Sequence, residues 1–301
     1  MPLSVSFKAM GGPCSLVVDE VSSPQVQALM SQGVQEVQRI EQKFSRYRDD
    51  SVIGRINAAA GRHAVECDEE TAALLNFAQR LHADTGGLFD ITSGVLRQAW
   101  DFSSGRLPGD AELQPLLALV GWDKVHWDGH GLYLPEKGME IDLGGLGKEY
   151  AADRVAQWLG SQGLRHGFVN LGGDIRVWGG RQDGRAWHVG VQHPRHADRI
   201  LLSAGLQQGG MATSGDYERF MEVDGQRYCH ILDPGTGWPV QAWQSITVVA
   251  PTCLLAGVMS TTFMLMQSDA PKAIQESGMR VWAVDSAGQV HAFGPQAPAS
   301  A

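Results

Sequence analysis

"IDLGGLGKEYAAD" (residues 141–153) runs from the end of an apolar stretch into the beginning of a helix. Gly144, Gly145 and Gly147 lie between the acid Asp142 and the cation Lys148. Glycine weakens regular structure, so a cluster of it at a helix start implies a backbone that something approaches closely. A helix N-terminus carries about half a positive charge and several free N–H groups, which suit phosphate oxygens. Lys148 adds a full charge beside them. The helix that follows buries Ala151, Val155, Trp158 and Leu159 and stops near Gly163.

Working outward, four more segments join glycine to Asp, Ser, Thr or His at the ends of apolar runs. They are "TGGLFDITSG" (85–94), "NLGGDI" (170–175), "ATSGDYERF" (212–220) and "CHILDPGTGWPV" (229–240). Each alone also reads as a tight turn. None fits G-x-G-x-x-G or G-x-x-x-x-G-K-[ST], which disfavours a Rossmann domain or a P-loop NTPase. The residues by themselves lead to an α/β protein with a glycine-lined, phosphate-binding site.

The surrounding pattern is mixed. "SSPQVQALMSQGVQEVQRIEQKF" predicts a helix capped by Ser23 with Pro24 at its first position. Val26, Met30, Val34, Val37, Ile40 and Phe44 form its apolar stripe. A second helix starts at Asp68 and stops at Gly86. Strands are expected at Val5–Phe7, Ser15–Val18 and in short runs from residue 167, and an apolar helix spans Cys253 to Met266. "MRVWAVDSAGQVHAFG" closes the chain as a hairpin. The expected fold is one α/β (mixed α+β) domain over residues 3–294 with mixed sheets and packed helices, followed by a disordered tail at 295–301.

Composition bounds the function. Of 301 residues 43% are hydrophobic and 19% charged, enough for a large core. A net charge of −9 argues against a general nucleic-acid or anionic-membrane binder. Cys14, Cys67, Cys229 and Cys253 form no C-x-x-C pair, so they read as small hydrophobes in a reducing compartment. No stretch approaches the ~20 apolar residues of a membrane span. "MPLSVSFKAMGG" lacks a signal-like start, so a cytoplasmic protein is expected.

Taken in order, "FKAMGG" (7–12), "FSRYRDDSVIGRIN" (44–57), "GGLFDITSG", "IDLGGLGKEYAAD", "FVNLGGDIRVWG", "ATSGDYERF", "HILDPGTGWPV", "SITVVAP" and "LLAGVMSTTFML" resemble the ApbE family of FAD:protein FMN transferases. The resemblance covers nearly the whole chain. It implies cleavage of FAD, attachment of FMN to a Thr or Ser of a target flavoprotein, release of AMP, and assistance by Mg2+. By position it implies that Met10 and Tyr47 contact the FAD rings and that Leu88, Phe89 and Asp90 form a loop whose carboxylate accepts from ribose or adenine. It further implies FAD contacts from Asp142, Lys148 and the backbone of Leu232, and a metal ligand in the Gly145 carbonyl. His230 is the candidate general base, or else ties its strand to the turn at Asp233. Asp216 and Asp233 read as caps in preference to ligands.

Two positions depart from the family pattern. Where the closing helix usually carries a metal-binding Asp, this chain has Gly257, leaving the hydroxyls of Ser260 and Thr261. Where a Gly usually follows the lysine, it has Glu149, which reads as a solvated first-turn acid. Magnesium commonly uses one or two carboxylates, so the loss is expected to weaken its binding, and Gly257→Asp to lower the magnesium required. Three outcomes stay open: transferase, FAD-binding relative without catalysis, and FAD pyrophosphatase.

Overall fold

Two hairpin-linked strands start the architecture. The computed structural model describes residues 2–295, so residues 296–301 of the expected disordered tail lie outside the described residues. β1 (Leu3–Ala9) and β2 (Gly12–Val18) pair antiparallel about Met10–Gly11. Both turn residues have positive φ, 53° and 78°, as a two-residue I′ hairpin turn requires.

Helices then build one layer. α1 (Pro24–Phe44) begins where Ser23 accepts from the Val26 N–H at 3.2 Å, and it buries Met30, Val37, Ile40 and Phe44. The short α2 (Val52–Ala58) and β3 (Val65–Glu66) lead to α3 (Glu69–Asp84), which Asp68 caps. A 3-10 segment, Ile91–Gln98, and α4 (Asp110–Leu117) follow. β4 (His126–Trp127) and β5 (Gly131–Tyr133) join β3 in a small sheet. α5 (Gly147–Ser161) buries Ala151, Val155 and Leu159, while Trp158 is half-buried.

The remaining chain is mostly strand: β6 (Gly167–Leu171), β7 (Asp174–Gly179), β8 (Trp187–His193), β9 (His196–Leu206), β10 (Gly209–Gly215), β11 (Phe220–Val223), β12 (Gln226–Cys229) and β13 (Trp243–Ala250). Then come α6 (Cys253–Leu265), α7 (Ala270–Ser277), β14 (Arg280–Asp285) and β15 (Val290–Phe293). Eight strands form the main sheet in the order β1-β2-β6-β7-β10-β13-β14-β15. The mixed α/β class holds, but the expectation of mixed sheets needs correction. Among the described residues every strand pairing is antiparallel. The physical reason is connectivity: β1–β2, β6–β7 and β14–β15 are tight hairpins, and no short strand–helix–strand crossover imposes parallel neighbours.

α5 packs on α1, β6 and β7, and α6 packs on β10, β13 and α5. Close approach of α1 depends on Gly33, where an added Cβ would lie 3.3 Å from Leu16 and 3.4 Å from Val155. A charged knot locks the layer. Glu70 on α3 accepts from Arg39 (2.7 Å) and Lys43 (2.6 Å) on α1 and from Tyr150 (2.8 Å) on α5. Burial alone would raise the Glu70 pKa, but Arg39, Lys43 and Tyr150 outweigh it and bring it to about 2.

A depressed carboxylate stabilises the fold above its unfolded pKa and loses that contribution as pH falls through the folded value. Glu70→Gln should therefore destabilise by about 1–3 kcal/mol near neutrality. In denaturant titrations the deficit should shrink between pH 4.5 and about 2. A deficit independent of pH would mean that packing, not charge, is responsible.

Candidate active site

The fold gathers all five glycine-bearing segments. Asn57 on α2 holds Ile141 by a reciprocal pair of hydrogen bonds at 2.8 and 3.0 Å. The Asp142 N–H donates to the Ile91 carbonyl at 2.8 Å, laying the 141–148 loop against the 85–94 segment. Lys148 forms an ion pair with Asp174, which brings in the 170–175 turn. Asp174 also accepts from the Thr213 backbone on β10. The His230 N–H reaches the Arg219 carbonyl at 3.0 Å, joining the last two segments, and the Trp100 indole donates to the Gly237 carbonyl at 2.8 Å.

Charge is concentrated at the start of α5. Burial would pull the Lys148 amine down, yet Asp174 and Glu149 raise it above the ordinary lysine value. The ammonium is held charged in the first turn of a helix, where the Gly147 N–H is already taken by the Leu143 carbonyl at 2.8 Å. Asp153, further along α5, accepts from the N–H groups of Cys253 (2.9 Å) and Leu254 (2.8 Å) and so caps α6. Ser214 on β10 meets the hydroxyls of Ser260 (2.8 Å) and Thr261 (2.9 Å) on α6.

Glu149 corrects an expectation. It is not solvated but 5% exposed, and its Oε2 has no hydrogen-bond partner. Burial raises its pKa, with Asp174 adding to the effect. A Cβ added at Gly257 would lie 2.5 Å from Glu149 Cγ and 2.6 Å from Oε1. The glutamate fills the space that a side chain at 257 would take. An Asp introduced at 257 therefore requires the Glu149 side chain to shift.

Asp90 is held by internal partners. Its carboxylate accepts from the Thr92 N–H (2.7 Å), the Thr92 hydroxyl (2.6 Å) and the Trp122 N–H (2.9 Å), and it faces His82 at 3.4 Å. They occupy most of its acceptor sites and shape the loop. Asp216, read as a cap, makes a two-pronged ion pair with Arg195 at 2.6 and 2.7 Å. Asp233 does cap its turn, accepting from Gly235 and Thr236 at 2.8 and 2.9 Å.

The other expected residues border the same region. Met10 is half-buried at positive φ and donates its N–H to Glu41 at 2.7 Å. That conformation costs a non-glycine residue about 1 kcal/mol. Tyr47 is 73% exposed, with the Arg46 guanidinium 4.8 Å from its ring centroid. Arg46 also pairs with Asp142 at 2.9 Å. Phe89 is buried behind the loop, 3.4 Å from where a Gly145 Cβ would stand, and Leu88 packs on the core beside α6. Leu232 bridges to Pro239. His230 presents an exposed ring. The protein crowded around it, then Arg219 and Lys148, push its pKa down. A hydrogen bond to the Arg219 backbone opposes the shift, so the surrounding protein is what carries the direction.

Residue-by-residue reading missed Asp174, Arg46, Ser214 and the placement of Glu149. Only Asp174 left a signal, as an acid heading an apolar strand. A separate cavity lined by Arg39, Lys43, Arg55, Cys67 and Asp68 shares no residue with these loops, and Lys43 and Asp68 pair with each other there. Among the described residues no trio of His, Cys, Asp or Glu is gathered for a metal ion. Any cation here would rest on one carboxylate with hydroxyl, carbonyl and phosphate oxygens.

Contact between positions 149 and 257 predicts strong coupling. Gly257→Ala should destabilise by about 1–3 kcal/mol through overpacking. Most of that loss should vanish in a Glu149→Gly background, as a double-mutant cycle in denaturant would reveal. Additive effects would show that the two positions do not touch.

The ApbE family matches residues 10–284. An FAD:protein FMN transferase of Vibrio cholerae is 31% identical over 248 residues, 80% of this chain and 74% of the relative. One from Haemophilus influenzae is 30% identical over 94% of this chain and 86% of its own length. The crystal structure of an ApbE protein from Thermotoga maritima superposes with a TM-score of 0.90 at 32% identity, covering 97% of each chain. The Vibrio cholerae flavin transferase ApbE gives 0.86 at 26% identity over 97% of each chain. With its glycine loops joined in one site and the family matched over residues 10–284, this chain belongs to the ApbE family.

Proposed function

We propose that the chain is an FAD:protein FMN transferase, with FAD lying so that its diphosphate meets the backbone of residues 144–148. Convergence of the five loops on the charged start of α5 is the observation that carries this reading. Lys148, kept protonated and oriented by Asp174, stabilises charge on the phosphate oxygens. The glycines bring no side chain that would hold the substrate away, although the Gly144 and Gly147 N–H groups donate internally to Asp142 and the Leu143 carbonyl.

In the transfer, the hydroxyl oxygen of an acceptor Thr or Ser on a target flavoprotein attacks the FMN phosphorus. The bond from that phosphorus to the AMP oxygen breaks, and AMP leaves. His230 takes the hydroxyl proton; its lowered pKa keeps the ring neutral and able to accept at pH 7. Met10 and Tyr47 border the flavin, and Arg46 fixes Asp142 at the mouth of the loop.

The donor set suits Mg2+, because a buried carboxylate oxygen without a partner belongs to a side chain packed on Gly257, one turn of helix before the hydroxyls of Ser260 and Thr261. The Gly145 carbonyl and Thr261 would hold the ion, and Ser260, which donates to the Gly257 carbonyl at 2.9 Å, braces the helix there. Bound magnesium supplies neutralisation of phosphate charge. No helix among the described residues is long and apolar enough to cross a membrane. The expected partner is a flavoprotein with an exposed acceptor loop, and a cytoplasmic location is part of this proposal.

Incubation with FAD, Mg2+ and a target domain should increase the target's mass by one FMN. Free AMP without that gain would indicate hydrolysis, and retained FAD with neither product a binding protein. Lys148→Ala should lower the transfer rate by about 10²–10³-fold.

The pH dependence tests His230 separately. Its acid limb in kcat/KM should fall below the ordinary histidine value of 6.5. A limb at or above 6.5 would remove His230 as the proton acceptor.

A further inference from the structure

Glu149 and Gly257 form a matched pair across two helices. Glu149 projects from the first turn of α5, is 5% exposed, and leaves Oε2 without any partner. A buried carboxylate oxygen so placed is unfavourable unless another group completes it. Lys148 does not do so, because its ammonium is engaged by Asp174. The Glu149 chain runs directly over Gly257, whose missing Cβ leaves the room: Cγ, Oε1 and Cδ would stand 2.5, 2.6 and 2.9 Å from that atom.

The same region carries hard, uncharged oxygens. One turn beyond Gly257, Ser260 and Thr261 meet Ser214 at 2.8 and 2.9 Å. Four residues before Glu149 is Gly145, with its backbone in the phosphate-facing loop. The Asp153 cap fastens α5 to the N-terminus of α6, and so joins the helix that carries the carboxylate to the helix that carries the hydroxyls. Oxygen-only donors with a single carboxylate suit a small divalent cation that keeps several waters or phosphate oxygens.

We propose that Glu149 is a carboxylate ligand of the divalent cation, delivered from α5 through the gap left by Gly257, in place of an acid carried on α6 itself. This rests on the reading of the site as an Mg2+-assisted flavin transferase. It explains why the two departures from the family pattern occur together. A carboxylate relocated by one helix serves the same volume of space, and the glycine is the condition for its arrival.

Manganese binding tests the proposal without turnover. The protein is titrated with Mn2+, alone and with FAD, and the free ion is followed by electron paramagnetic resonance. The wild-type chain should bind Mn2+. Glu149→Gln, nearly isosteric, should weaken binding by at least about tenfold. The exchange Glu149→Gly with Gly257→Asp should restore it to within about threefold of the wild type, and Mn2+ should raise the Tm of both binders but not of Glu149→Gln. Equal Mn2+ affinity in the wild type and Glu149→Gln overturns the role of Glu149 and leaves the metal reading intact. No Mn2+ binding by the wild type, with FMN transfer persisting in a chelator, overturns the metal reading and this proposal together. Should Glu149→Gln fail to fold, the exchange variant decides: a folded but non-binding double variant is equally fatal.

Discussion

The ion pair between Lys148 and Asp174 is the interaction on which the site's arrangement depends. One partner begins α5 and the other begins β7, so the pair fastens the glycine loop to the main sheet. Asp174 is 3% exposed, and a carboxylate that deep persists as an anion only beside a cation. Loss of either partner would leave an uncompensated buried charge. The pair also accounts for an apparent conflict, since burial pushes Asp174 up while Lys148 draws it down. The rise in Lys148 fixes the outcome as a charged pair.

Around that pair, the helices are held by polar contacts at their ends as much as by apolar packing. Glu70 links α1, α3 and α5, and Asp153 links α5 to the N-terminus of α6. A negative charge at a helix N-terminus is stabilising in its own right, and here it also sets the spacing between two functional helices. Such anchors let loops rich in glycine retain a defined shape. Most glycine N–H groups in those loops are themselves tied down, to carbonyls or to Asp142, Asn170 and Asp233.

Helix periodicity and caps were legible in the sequence because they act over a few residues. Ser23 and Asp68 cap the helices they were expected to cap, and β6 to β9 and β13 to β15 lie where strands were expected, whereas β10, β11 and β12 fall in a stretch read as loops. Sheet order was not legible. Pairing β2 with β6 joins residues about 150 positions apart, and no local pattern encodes that choice. Asp90 and Asp142 show the same limit within the site. Both lie in glycine-flanked loops, yet Asp90 is buried against Thr92 and Trp122 while Asp142 accepts from Gly144 and pairs with Arg46.

Local chemistry alone determined that this chain makes helices, strands and five permissive loops able to face phosphate, and the order of those loops determined its family. The tertiary structure alone decided which charges meet. Glu149 read as solvated because an acid in a first helical turn is already favourable there. Its burial follows from a glycine 108 positions later that vacates the facing space. Packing is a property of volumes brought together by folding, and a linear reading contains the residues but not the distances between them.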